Sequence, residues 1–170
     1  GIGGKVSPGE CIVRPAVEKD EEAVVKIAEM AFTYSRFHLD PYISNQLANK
    51  IKGLWAGNYF RGERGDGMLV AIINNTVSGF LQFFINHQSH IVIDLIAVSP
   101  EVMGSGLGSQ MFDHLTSYPT TTGEANRVRV GTQACNAASI NFYFSAGLNL
   151  VSSQNVFHFH GELASEKGKV

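Results

Sequence analysis

Apolar residues fall into alternating helical and extended patterns along the chain. Cys11 to Ala16 reads as a first strand, ending at Arg14-Pro15. Asp20 is a candidate N-cap for a helix whose face is Val24, Ile27, Ala28 and Ala31, running to about Phe32. Glu21 and Glu22 suit the first turn of that helix. A second helix is expected from Ile43, with Leu47, Ile51, Leu54 and Trp55 on one face, ending near Asn58 to Gly62. Three strands follow: Met68 to Ile73, Val77 to Asn86 and Ile91 to Val98. Asn74-Asn75 and His87 to His90 are the turns between them, so these strands are antiparallel neighbours. Gly79 hints at a bulge.

The run Ile91 to Val98 is nearly all apolar and rich in β-branched residues, as a buried strand is. Ser99-Pro100 closes it, because proline cannot donate to a ladder. Gly104, Gly106 and Gly108 then stand on alternate positions, before Leu107, Met111 and Leu115 at helical spacing. Strand, glycine loop and helix N-terminus in that order suit an anion. The first amides of a helix have no internal partner, and its dipole favours negative charge. A pyrophosphate could lie on the amides of Gly104, Ser105, Gly106, Leu107, Gly108 and Ser109; the alternative is a tight turn with a packing glycine. The spacing is not that of a dinucleotide fold, and no Gly-Lys-Ser/Thr ends the loop as in a Walker motif.

After this helix, which ends around Ser117 to Pro119, Thr120 to Asn126 reads as a loop. Arg127 to Gln133 reads as a strand parallel to Ile91 to Val98, because a helix crossover precedes it. Asn136 caps a helix that Gly147 closes. Asn149 to His160 is expected to be a last strand.

Composition narrows the class. The chain has 170 residues, 44% hydrophobic and 16% charged, with formal net charge −2. One domain over 11–161 is expected, with a polar tail at 162–170. Residues 1–10, which lack an initiating Met, read as a cloning remnant or disordered start, with missing upstream sequence an open alternative. The absence of a basic run argues against nucleic acid. No apolar segment reaches the length of a membrane span, so a cytoplasmic protein without membrane association is expected. The two cysteines, Cys11 and Cys135, could pair in principle, but their number does not suggest a disulfide scaffold. His158 and His160 alternate, but no third ligand stands out, so no metal is expected.

Ile96-Ala-Val98-Ser-Pro100 followed by Met103-x-x-Gly106-x-Gly108 resembles the acetyl-CoA motif of the GNAT superfamily of N-acetyltransferases. Met103 departs from the family's usual Gln or Arg. The resemblance implies a GNAT-like α/β (α+β) fold: a mixed, mainly antiparallel sheet with a parallel, splayed central pair, flanked by helices. It implies acetyl-CoA as acyl donor, its pantetheine pairing with the main chain of Ile96 and Val98. It also implies that Asn136 lies near the cofactor, and, because the family usually transfers acetyl directly, that Cys135 packs rather than acts as a ping-pong nucleophile. Tyr143, seven residues on, would protonate the leaving thiolate, against a core role beside Phe142 and Phe144. The acceptor's proton would go to Asp94, His38, Asp40 or a water chain. Asp94, a carboxylate in an apolar strand, is equally explained by structural pairing with an arginine or a backbone amide.

Two further blocks, Arg36-Phe-His-Leu-Asp-Pro41 with the helix to Trp55, and Thr132-Gln to Gly147, resemble the dTDP-fucosamine acetyltransferases. That resemblance implies a nucleotide-linked 4-amino-4,6-dideoxyhexose as the amine acceptor. The mixed loop Tyr34 to Pro41, with Arg36, His38 and Asp40, reads either as the substrate-facing element or as a structural helix-helix connection with Asp40 as a cap. Arg36, Arg61 and Arg64 add a mild vote for a nucleotide. A peptide N-terminus, lysine or polyamine acceptor, or a non-catalytic CoA-binding domain, are the rivals. A homodimer is a candidate assembly.

Overall fold

In the computed structural model the described residues are 11–87, 90–117, 119–120, 123–124 and 127–158. The expected start at 1–10, the tail at 162–170 and His160 lie outside them. The elements are β1 (Cys11–Pro15), α1 (Glu21–Ala31), α2 (Asn45–Phe60), β2 (Gly67–Ile73), β3 (Thr76–Ile85) and β4 (His90–Val98). They continue as α3 (Leu107–Thr116), β5 (Pro119–Thr120), β6 (Gly123–Glu124), β7 (Arg127–Val130) and α4 (Ala137–Ser145). The main sheet runs β1-β2-β3-β4-β7. The first three pairings are antiparallel and β4–β7 is parallel, which bears out the fold class. No described helix is long and apolar enough to cross a membrane.

Local chemistry explains the connections. Asn74 and Asn75 both take positive φ, at 49° and 61°, as the two-residue turn between β2 and β3 requires. The expected bulge is present: Ala71 pairs with Gly79 and Ile72 with Val77, leaving Ser78 as the extra residue. Gly79 must be small, since a Cβ there would sit 3.1 Å from the Ala97 carbonyl oxygen. The residues expected as a loop after α3 include a short antiparallel pair, β5 with β6.

One core lies on the α3 face of the sheet and includes Leu69, Leu81, Phe83, Ile91, Ile93, Met111 and Leu115. The other lies under α1 and α2 and includes Val24, Ile27, Val70, Phe80, Leu95 and Ala97. β4 therefore changes face between Ile93 and Leu95. The cause is a second bulge: Phe83 pairs with Ile93 but Gln82 with Leu95, so Asp94 is the extra residue.

Of three expectations about elements, two are overturned and one is met in position but not in its bonding. First, α2 does not bury the face drawn from its large apolar residues: Leu47 and Leu54 are exposed, at 50% and 53%. It buries Ala48, Lys52, Gly53, Ala56 and Gly57 instead. Those small residues let α2 lie close on α1, where a Cβ on Gly53 would meet Glu29 Cγ at 2.6 Å. Second, Asp20 holds the N-cap position of α1 without a side-chain cap bond. Its carboxylate is taken by Arg14, at 2.7 and 2.9 Å, and by the Val17 amide at 2.9 Å. Third, 149–158 forms no strand. Ser152 to Asn155 are four polar residues in succession, and the four-residue β7 offers little edge to pair with. Leu150, Val151, Val156 and Phe157 are accordingly exposed.

Candidate functional site

The bulge at Asp94 is also where β4 and β7 part. Their ladder covers His90 to Ile93 against Arg127 to Val130 and stops there. Asp94 to Val98 continue along β3 with no ladder partner on the other edge among the described residues. The Ser99 amide donates toward β3, to Ser78 O at 2.8 Å. By the alternation of an antiparallel strand, the main-chain groups of Ile96 and Val98 face the open edge. The side chains of both pack against the α3-side core.

That open edge leads to the glycine loop. After a 3-10 turn at Pro100–Val102, Gly104 and Gly106 take φ of 78° and 85°, which side-chain-bearing residues rarely adopt. Gly108 is close to the Phe142 ring, 3.4 Å from where a Cβ would stand. No backbone carbonyl among the described residues accepts from the amides of Gly106, Leu107, Gly108 or Ser109. The Ser105 hydroxyl is buried without a partner. Met103 is 68% exposed and anchors nothing.

α4 closes this end. The Asn136 side chain caps it, accepting from the Ser139 amide at 3.1 Å. Gly147 ends it with φ 84°, its amide donating to Phe144 O and that of Leu148 to Tyr143 O. Phe142 ties α4 to α3 through an edge-on contact with Phe112, centroids 6.5 Å apart. Tyr143 is half-buried next to Phe142, and burial pushes its phenol up to about 12. Cys135, expected to pack, is exposed, because it lies in the turn before α4.

On the α1–α2 face, Asp94 is held by two bonds from Arg64, both 2.7 Å, and by Gln82 Nε2 at 3.0 Å. The Arg64 guanidinium lies 4.2 Å from the centroid of Trp55. Arg36 lies 5.7 Å from the same ring and Lys52 Nζ 4.7 Å. Three cations thus surround one indole, with Asp94 the carboxylate paired among them. Arg61, expected nearby, points to Glu21 of α1 at 3.2 Å instead.

His38 shares hydrogen bonds with Ser35 Oγ at 2.6 Å and Asn49 Oδ1 at 2.7 Å. Asp40 accepts from the Tyr42 amide at 3.0 Å and pairs with His158. Of the substrate-side residues expected from sequence, Arg36 is the exposed one. The structure therefore gathers Arg36 and Asp94 at Trp55, and ties His38 and Asp40 into the connection before α2. Sequence reasoning missed Lys52, and Trp55 as a platform. The signal was a lysine within the small-residue stripe Ala48, Gly53, Ala56, Gly57.

A strand edge left open by a bulge, leading to unpartnered helix amides, is the framework of a domain that takes a linear ligand with an anionic end. Comparison with known proteins identifies the class. The acetyltransferase (GNAT) family model matches residues 22–147, and the chain belongs to that family, whose acyl donor is acetyl-CoA. The spore coat polysaccharide biosynthesis protein SpsD of Bacillus subtilis is 31% identical over 146 residues, covering 86% of this chain and 49% of SpsD. The chain thus spans about half the length of that relative. A GNAT-family acetyltransferase structure from Bacillus cereus superposes with TM-score 0.63 at 19% identity, covering 87% of this chain and 89% of that one. The aminoglycoside acetyltransferase AAC(6')-Iy, in complex with a CoA-linked bisubstrate analogue, gives 0.62 at 14%, covering 90% and 100%. These likenesses concern the fold.

Proposed function

We propose that this chain transfers acetyl from acetyl-CoA directly to a primary amine, and that the amine belongs to a nucleotide-linked amino sugar. The observation that carries the transfer is the meeting of the open β4 edge with the free amides of Gly106 to Ser109. When bound, acetyl-CoA supplies an activated thioester. The residues present suit it: Ile96 and Val98 offer main-chain partners to its amide-bearing arm. The glycine loop and the unpartnered Ser105 hydroxyl offer donors to its pyrophosphate. This is the donor half of the site.

Tyr143 is the proton donor to the departing sulfur in this reading. Its phenol keeps its proton at neutral pH and has no hydrogen-bond partner among the described residues. The acceptor half is the ground around Trp55. Asp94, with both oxygens engaged, positions Arg64 there rather than taking a proton itself. Arg36 and Arg64 favour an anionic acceptor, such as a sugar joined to a diphosphate. SpsD, named for polysaccharide biosynthesis, supports the same class.

The test is CoA thiol release against dTDP- and UDP-4-amino-4,6-dideoxyhexoses, spermidine and a lysine peptide. Turnover with a nucleotide sugar alone is expected. Turnover with the others alone would keep the acetyltransferase and discard the sugar. Acetyl-CoA binding with no release from any acceptor would favour a CoA-binding domain.

A further inference from the structure

Lys52 is a lysine in a setting that does not suit a permanent charge. It lies on the α2 face packed toward α1, at 8% exposure. Its ammonium nitrogen sits 4.9 Å from the centroid of Phe32 and 4.7 Å from that of Trp55. Among the described residues it forms no ion pair with a carboxylate. The charged groups around it are Asp94 from β4, Arg36 from the connection before α2, and Arg64 from the connection after it. On the α1 side, Glu29 lies against the neighbouring Gly53.

These surroundings act in opposite directions. Burial penalises the ammonium most, and Arg36 and Arg64 add to that, while Asp94 opposes it. The two ring faces stabilise the cation once it forms. The balance brings the side chain down to about 8, where it can exchange a proton near neutral pH. The carboxylates and imidazole that the sequence offered for this task are engaged elsewhere. Asp94 holds Arg64 and Gln82, His38 lies between Ser35 and Asn49, and Asp40 holds the Tyr42 amide and His158.

We propose that Lys52 is the proton acceptor for the incoming ammonium, with Asp94, Arg64 and Trp55 as its positioning residues. The inference rests on the acetyl-transfer reading. An N–H bond of the ammonium breaks and an N–H bond forms on neutral Lys52. The freed amine nitrogen bonds to the acetyl carbon, the C–S bond breaks, and the sulfur takes up a proton from Tyr143. The second amine proton restores the phenol, and Lys52 returns its own proton to water.

Two measurements on the full chain test this. The first needs no acceptor: trace labelling with acetic anhydride across pH, with Lys52 followed by peptide mass spectrometry. Its reactivity should rise with a midpoint near 8. A midpoint above about 9.5, toward the ordinary lysine value, overturns the proposal whatever the acceptor panel shows. The second is the pH dependence of kcat with the acceptor that turns over. Lys52→Arg keeps the charge and cannot be neutral. It should lose about 100-fold in kcat together with the rising limb near pH 8. Lys52→Met should behave alike, with thermal midpoint and acetyl-CoA affinity retained in at least one of the two. Wild-type turnover with the limb intact in either variant overturns the proposal. A labelling midpoint near 8 with a panel that stays silent although acetyl-CoA binds supports the readily deprotonated lysine, but overturns its role by overturning the acetyl-transfer reading on which that role rests.

Discussion

In the proposed reading, the donor half and the acceptor half of the site are built from different materials. The donor half is backbone: the open edge of β4, two left-handed glycines and the first amides of α3. The acceptor half is side chain: Trp55 and Lys52 from α2, Arg36 and Arg64 from the connections flanking it, Asp94 from β4. Backbone recognition depends on chain conformation and tolerates changes of side chain, which is why an exposed Met103 can stand where a polar anchor is usual. Side-chain recognition depends on identity, so under the proposal the choice of substrate would reside in the acceptor half.

The sharpest way to separate the halves is Tyr143, which stands at the donor end yet contributes a side chain. Tyr143→Phe should lower kcat by about 100- to 1000-fold and leave acetyl-CoA affinity within about twofold. With its phenol held at about 12, Tyr143 should give no falling limb in kcat between about pH 7 and 10. Parallel loss of affinity and turnover, by calorimetry and steady-state kinetics, would make the residue a packing element of α4.

A backbone half should break through backbone conformation. Gly106 has φ 85°, and a Cβ there would meet nothing within 4 Å, so any penalty is conformational rather than steric crowding. Gly106→Val should weaken acetyl-CoA by about 10- to 100-fold, from roughly 1–3 kcal/mol of strain. Met103→Ala should leave binding nearly unchanged. If Met103→Ala costs as much as Gly106→Val, the donor half is not a backbone site.

These materials also decide what could be read from the chain. Gly104, Gly106 and Gly108, the Asn136 cap and the Gly147 stop are local signals, because each answers a need of the backbone within a few residues. Asp94 as a bulge was hidden, since Ile91 to Val98 looks equally apolar in either register. The inner face of α2 was misjudged for a related reason. Leu47 and Leu54 outweigh Ala48 and Gly53 by hydrophobicity, but close approach to α1 selects for smallness. Lys52 stands at helical spacing within the small-residue stripe, but its burial depends on Phe32, Trp55 and α1 together, which the stripe alone does not reveal.

An acceptor half made of side chains should respond to a change of charge without change of shape. Asp94→Asn keeps the shape but removes the charge that holds Arg64 and turns one accepting oxygen into an NH2 that can only donate. Stability should fall by about 2 kcal/mol, for a pair whose arginine is partly exposed. Acceptor KM should rise, with acetyl-CoA affinity intact. A thermal midpoint equal to wild type would mean that solvent already screens the pair. Loss of acetyl-CoA affinity would show that the bulge depends on the carboxylate and that the two halves are not separable.

The smallest effect concerns the frame beneath both halves. Arg14, near the end of β1, binds Asp20, just ahead of α1. Those hydrogen bonds, with help from the Val17 amide and against burial, hold the Asp20 carboxyl below its usual value. The folded state therefore gives up this proton more readily than the unfolded chain does. The contribution to stability is fully present above the unfolded carboxylate value of about 4 and is lost as pH falls through the lower, folded value. Asp20→Asn should have a lower urea midpoint than wild type at neutral pH, and the gap should close below about pH 4. At neutral pH both proteins should bind acetyl-CoA alike, because the pair lies outside the donor half. A gap that stays constant into acid would mean that Asn loses packing rather than charge. A loss of acetyl-CoA affinity would mean that the start of α1 helps to shape the wedge at β4.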